Sequence, residues 1–223
     1  MKRAEIKVYR NLMGDNDLWA ERTKMLLAKK EVTLLNLIGG PGCGKTTLLE
    51  KASLKLSGQL KMAVLEGDIE TTRDAERLAN LNIPVSQLLT GGACHLEAKM
   101  VHYALRDLKL DELDIVFCEN VGNLVCPAEF DIGEGAKIAV LSVTEGEDKP
   151  LKYPLLFREA KSVVLTKIDL LPYLNFDLSL CLKNIHKINA ELPVFPVSAT
   201  KESGLEEFVC WLLKWRKSAS KLK

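Results

Sequence analysis

The chain has 223 residues, 47% of them hydrophobic, with 31 Lys and Arg set against 30 Asp and Glu. Such a length can bury one full core and lies near the upper end for a single domain, and the near-zero net charge gives no field that would make a nucleic acid or an anionic membrane an obligatory partner. No apolar stretch approaches the roughly 20 residues that span a bilayer, and no signal-like segment follows the N-terminal charges, so the expectation is a cytoplasmic protein whose six cysteines are thiols or metal ligands rather than a disulfide framework.

Apolar periodicity predicts an amphipathic helix over about 16–30. Strand-like runs then recur at 32–38, 61–65, 85–89, 113–119, 137–143, 162–166 and 194–197, most of them separated by helix-like segments such as 45–56. That alternation predicts an α/β fold with three α/β/α layers, in which helices cover both faces of a mostly parallel sheet. Open sheets of this kind place ligands at the C-terminal ends of their strands.

The first such end carries Gly39, Gly40, Pro41, Gly42, Cys43, Gly44, Lys45 and Thr46, a complete G-x-x-x-x-G-K-T phosphate loop, followed by Thr47. Its glycines let successive N–H groups turn toward a β-phosphate, Lys45 would reach the β/γ oxygens and Thr46 offers a hydroxyl to Mg²⁺. Cys43 need contribute only its backbone. A P-loop NTPase is the reading.

The second end, Glu66-Gly67-Asp68, places Asp68 as a Mg²⁺ or water-orienting carboxylate, with helix capping as the plainer alternative. The run 114–122 ends with Glu119 three residues before Gly122. Glu119 can serve Mg²⁺, and Gly122 can present its N–H to a γ-phosphate. Asn123 stands where many hydrolytic switches hold a Gln, so unaided hydrolysis should be slow.

Thr166-Lys167-Ile168-Asp169 resembles the [N/T]-K-x-D element of GTPases. The Asp169 carboxylate can accept from both N1–H and the exocyclic amine of guanine, whereas adenine has no N1 proton and would leave a buried acceptor unpaired. Lys167 would lie along the base, Thr166 keeps a hydroxyl where most members have Asn, and Ser198-Ala199 resembles the loop that meets guanine O6. GTP is therefore the expected substrate, with Lys45, Asp68 and Glu119 as catalytic residues.

Cys94 and His95 follow the 85–89 run, and Cys126 lies four residues after Gly122. Thiolates with imidazole suit Zn²⁺ and Ni²⁺. The chain from Gly122 to Cys126 spans at most ~14 Å, close enough to feel a change at the γ-phosphate. One chain falls short of a closed four-ligand site, so a metal shared across a symmetric dimer is expected. His102 is a lesser ligand candidate, Cys118, Cys181 and Cys210 are expected in the core, and His186 facing solvent.

With these residues in view, the chain resembles the hydrogenase nickel-incorporation GTPases, the HypB family, through residues 67–77, 94–98 and 119–128. The resemblance implies a GTPase domain over 32–217 behind an N-terminal helical extension (1–31), with a basic tail (218–223). It also implies GTP-promoted homodimerisation, work alongside the metallochaperone HypA, and delivery of nickel to the [NiFe] hydrogenase large subunit. Cys94, His95 and Cys126 are implied as its Ni²⁺ or Zn²⁺ ligands. Some members add an N-terminal cysteine or histidine cluster for nickel, which is missing here, since the first cysteine is Cys43. Urease-type nickel GTPases, with a Cys-Pro-His motif where this chain has Cys126-Pro127-Ala128, and a regulatory GTPase with a structural zinc site are the alternatives.

Overall fold

The computed structural model describes residues 13–69 and 72–221. Met13–Lys30 forms α1, which buries Ala20, Thr23 and Leu27, the i, i+3, i+7 stripe expected of an amphipathic helix. Residues 1–12 of the expected extension and 222–223 of the expected tail lie outside the described residues.

Seven strands follow: β1 (Thr33–Gly39), β2 (Met62–Asp68), β3 (Val85–Leu89), β4 (Ile115–Glu119), β5 (Ala136–Ser142), β6 (Ala160–Thr166) and β7 (Val194–Val197). Between and after them lie α2 (Lys45–Leu56), α3 (Arg73–Ala79), α4 (Ala98–Asp107), α5 (Cys126–Glu129), α6 (Lys149–Lys152), α7 (Pro154–Glu159), α8 (Leu178–Ile188) and α9 (Leu205–Lys221). The sheet order is β3-β2-β4-β1-β5-β6-β7, and every neighbouring pair is parallel.

Alternation along β1 shows how the layers are specified. Leu35 and Leu37 face α2, α3 and α9, packing with Leu48, Leu49, Leu78 and Phe208. The opposite face is shared: Leu34 packs with Leu27, Val101 and Leu105 of α1 and α4, whereas Ile38 packs with Leu156, Phe157 and Ile185 of α7 and α8. A strand buried on both faces needs an unbroken apolar run, and all seven β1 residues are buried.

β1 sits between β4 and β5 at the centre of the sheet. Its C-terminal end therefore opens where the chain turns to opposite sides, the usual position of a ligand crevice. The second strand was expected to stop at residue 65, but pairing of Glu66 with Glu119, Gly67 with Leu88 and Asp68 with Leu89 carries β2 through Asp68. Glu66 is thereby held inside the sheet, almost fully buried.

Cys118 and Cys181 are buried as expected, but Cys210 is exposed. Its neighbour Val209 takes the inward position on α9, and on a 3.6-residue helix the next position turns by about 100° away.

Candidate functional site

The phosphate loop leaves β1 under tight steric control. A Cβ on Gly39 would lie 2.3 Å from the Val140 carbonyl oxygen, so glycine is required for β1 to pack against β5. Gly42 and Gly44 have φ of 71° and 97°, the left-handed region that glycine adopts without penalty. Lys45 and Thr46, the first residues of α2, are buried, and the Lys45 ammonium lies 3.4 Å from the Gly39 carbonyl. Thr47 accepts a hydrogen bond from Arg77 at 3.1 Å.

Pro41, Gly42, Gly44, Lys45, Thr46 and Thr47 line a cleft of about 360 Å³ shared with Glu66, Gly67, Asp68, Asp74, Arg77, Glu119, Asn120, Gly122 and Lys167. The Thr46 hydroxyl donates to Glu119 Oε1 at 2.9 Å, while Glu119 Oε2 is buried without a hydrogen-bond partner. Glu66, Asp74 and Glu119 each bring a carboxylate oxygen within 4.8 Å of the others. Burial pushes the Glu119 carboxyl up to about 7 against the opposing pull of Lys45 and Thr46. Burial and then the charge of Glu119 raise Glu66 likewise to about 7.

Crowded carboxylates beside a threonine hydroxyl, one with an orphaned oxygen, fit a hard divalent cation such as Mg²⁺. Asp68 lines the same cleft, but its Oδ1 accepts from the Ile69 N–H at 2.6 Å, and it stands outside the carboxylate trio. Glu66 and Asp74 were missed in the sequence. Asp74 is recoverable only once α3 folds over the cleft, where Arg77 ties it to Glu50 and Thr47.

The Thr166–Asp169 and Ser198–Ala199 segments lie at the tips of β6 and β7. Thr166 donates its hydroxyl to the Cys43 carbonyl and lies 3.3 Å from that of Leu141, so it fastens this loop to the phosphate loop. Lys167, at φ 61°, reaches the Gly42 carbonyl at 2.7 Å. Asp169 accepts from the Ser198 hydroxyl at 2.6 Å, which aims its carboxylate, and Ala199 follows on the same loop, held by an antiparallel bridge between Ser198 and Ser203.

On the same sheet edge, Cys94 Sγ lies 2.8 Å from Cys126 Sγ and 3.7 Å from His95 Nδ1. The three potential ligand atoms lie within 4.8 Å of one another. The contact with Cys126 raises the Cys94 thiol above its ordinary range. The His95 ring stacks on Phe130 with centroids 3.8 Å apart, and burial lowers its basicity, which favours the neutral, metal-binding imidazole. Two sulfurs and one imidazole nitrogen suit Ni²⁺ or Zn²⁺ and leave at least one coordination position for a further ligand. His102 turns away: its Nδ1 is 3.2 Å from the Thr23 hydroxyl, and its ring packs on Trp19. Asn123 does not face the phosphates with its amide group, which donates to the Cys94 carbonyl at 3.2 Å.

A family model described as the CobW/HypB/UreG nucleotide-binding domain matches residues 33–196. The hydrogenase maturation factor HypB of Escherichia coli K12 is 46% identical over 211 residues, spanning 95% of this chain and 73% of that protein. The chain belongs to the HypB family. The hydrogenase/urease maturation factor HypB of Helicobacter pylori J99 is 39% identical over 219 residues, 96% of this chain and 89% of that one. Among solved structures, H. pylori HypB in complex with nickel superposes with a TM-score of 0.87 at 39% identity, covering 92% of this chain and 96% of that one. HypB from Archaeoglobus fulgidus gives 0.85 at 30% identity, with coverage of 92% and 100%. A LAO/AO transport system kinase at 15% identity and TM-score 0.55 shares the fold alone. Among the described residues no helix is long and apolar enough to cross a membrane.

Proposed function

We propose that this chain is a GTP-hydrolysing metallochaperone that helps insert nickel into [NiFe] hydrogenase during maturation, acting in the cytoplasm. The carrying observation is the placement of two chemically different sites on one sheet edge. A phosphate-loop cleft and a Cys94/His95/Cys126 cluster are joined by the segment from Glu119 to Cys126, which supplies a carboxylate to one and a thiol to the other.

In this reading GTP is the substrate, Ni²⁺ or Zn²⁺ the cargo, and Mg²⁺ the cofactor. Thr46, Glu119 and a second carboxylate, Asp68, Glu66 or Asp74, would hold Mg²⁺, which when bound would neutralise phosphate charge. Lys45 exchanges its contact with the Gly39 carbonyl for phosphate oxygens, and the loop N–H groups orient them. Lys167, Asp169, Ser198 and Ala199 select guanine. Asn123 is engaged by the Cys94 loop and positions no water, in keeping with slow hydrolysis. GTP binding promotes a homodimer that pools thiolates from two chains, and HypA and the hydrogenase large subunit precursor are the partners. The residues 32–217 constitute the GTPase domain.

The test combines turnover with assembly state. GTP turnover should exceed ATP turnover and be lost in Lys45→Ala, and light scattering should register a dimer with a GTP analogue and Ni²⁺ and a monomer with GDP. Comparable ATP turnover, or a monomer under every combination, would count against the reading. A second reading, service to urease as well, is favoured by the paired hydrogenase/urease designation of the H. pylori relatives; complementation of a urease-maturation defect distinguishes it.

A further inference from the structure

The loop carrying Cys94 and His95 is held at alternate backbone positions by three asparagines from two segments. Asn123 Nδ2 donates to the Cys94 carbonyl at 3.2 Å, Asn120 Oδ1 accepts from the Leu96 N–H at 3.3 Å, and Asn16 Oδ1 on α1 accepts from the Ala98 N–H at 2.9 Å. The last bond satisfies a free donor at the start of α4, where Glu97 provides no side-chain cap.

Two of the three belong to the nucleotide side of the molecule. Asn120 follows Glu119 and lines the phosphate cleft. Its amide is oriented by a bond from Nδ2 to Asn36 Oδ1 of β1 at 3.2 Å, so one buried side chain touches the central strand and the metal loop together. Gly122 presses on the phosphate loop, since a Cβ there would lie 2.8 Å from Pro41 Cα. Asn123, the next residue, reaches Cys94 through Nδ2 and accepts from the Val125 N–H through Oδ1 at 2.9 Å. It thus spans from the main chain of one thiol ligand to the peptide just before the other.

Asn16 is placed differently. Its partners, the Ala98 N–H and the Asp131 carbonyl at 2.8 Å, are not among the residues that line the phosphate-loop cleft, and Asp131 follows Phe130, on which His95 stacks.

We propose that Asn120 and Asn123 are positioning residues that transmit the state of the nucleotide cleft to the spacing of Cys94 and Cys126, with Asn16 holding the α4 end of the loop as the fixed reference. The inference deepens the nickel-handling reading above and rests on it. Displacement of Glu119 to Gly122 by a γ-phosphate moves both asparagines, and their bonds pull on Cys94 and Leu96 while the bond at Ala98 does not move. Coupling of this kind runs through a contiguous set of contacts and must act equally in both directions.

The test measures Ni²⁺ affinity of the full chain by competition with a chromophoric chelator, with Mg²⁺ and GDP and with Mg²⁺ and a non-hydrolysable GTP analogue. Wild type, Asn123→Asp, Asn123→Ala and Asn16→Ala are compared. Asn123→Asp keeps the acceptor for Val125 but loses the donor to Cys94. In wild type the two affinities differ, and in both Asn123 variants their ratio falls toward one by roughly two- to tenfold, the worth of one hydrogen bond, while metal-free affinity for the GTP analogue is retained. Asn16→Ala weakens Ni²⁺ binding equally in both nucleotide states. A ratio kept in both Asn123 variants overturns the proposal alone, as does a ratio erased equally by Asn16→Ala. A ratio of one already in wild type removes the nucleotide-linked reading and the proposal with it.

Discussion

Replacing Asp169 by Asn changes one atom and should invert the base preference. The Asp169 carboxylate is aimed by the Ser198 hydroxyl at 2.6 Å and stands at the end of β6, whose Thr166 is fastened to the phosphate loop, so the side chain has little freedom to relax. On the proposed function it accepts two N–H groups from guanine, and hydrogen bonds to a charged group are worth roughly 1.5–3 kcal/mol each. Asparagine keeps one acceptor for N1–H but turns an amide donor toward the exocyclic amine. Loss of one charge-assisted bond, weakening of the other and donor-to-donor opposition together amount to roughly 3–6 kcal/mol, or about 10²- to 10⁴-fold in affinity. Xanthine carries a carbonyl where guanine has the amine, so it satisfies both groups of the new side chain. Calorimetric titration of Asp169→Asn with GDP and XDP should show GDP weakened by that factor and XDP bound more tightly than GDP. A loss of GDP affinity under about tenfold, or no gain for XDP, would refute the assignment of Asp169 to the base.

Two further outcomes follow from the phosphate end. Gly122→Ala places a methyl 2.8 Å from Pro41 Cα and 3.0 Å from Pro41 N, a contact with backbone that cannot yield locally. GTP turnover should fall at least about tenfold, as small misplacements at a reacting centre do, with the far-UV circular dichroism preserved; unchanged turnover would remove the close approach from the account. Because burial raises the Glu119 carboxyl to about 7, the folded protein without Mg²⁺ holds a proton there that the unfolded chain releases near its ordinary 4.5. Stability should therefore decline as pH rises from about 4.5 to 7, by up to about 3 kcal/mol for a carboxyl so displaced. Glu119→Gln should remove its share of that decline in urea melts at low Mg²⁺, leaving a shallower one from Glu66, which is raised likewise to about 7, and an equally steep decline in the variant would place the titrating group elsewhere.

Much of this architecture could be read from the chain because buried parallel strands need unbroken apolar runs and because the phosphate loop and the Thr166–Asp169 element need residue types that few other structures demand. Glu66 escaped notice because its strand extends past the apolar run by pairing with β4, a long-range effect with no local pattern. Asp74 and Arg77 depend on how α3 folds across the cleft, and nothing in their spacing points to Glu119. Cys210 was misread because an apolar run does not reveal which of two adjacent residues on a helix turns inward. Asn16 reads as an ordinary helix-end residue, and Asn123 stands out in the sequence only as the residue at a position where many switches hold Gln, with nothing to tie it to Cys94. Their bonds to the Cys94–Ala98 loop span 82 and 29 residues of sequence, beyond any periodicity.

On the proposed function, the thiols of Cys94 and Cys126 hold nickel beside a GTP cleft. This is tested most directly by titrating Ni²⁺ into the GTP-analogue-bound protein while following thiolate-to-nickel charge-transfer absorption, for wild type, Cys94→Ala and Cys126→Ala. Wild type should show a saturable band that is lost in each variant while GTP-analogue affinity without metal is kept. A band of undiminished intensity and stoichiometry in either variant would contradict it.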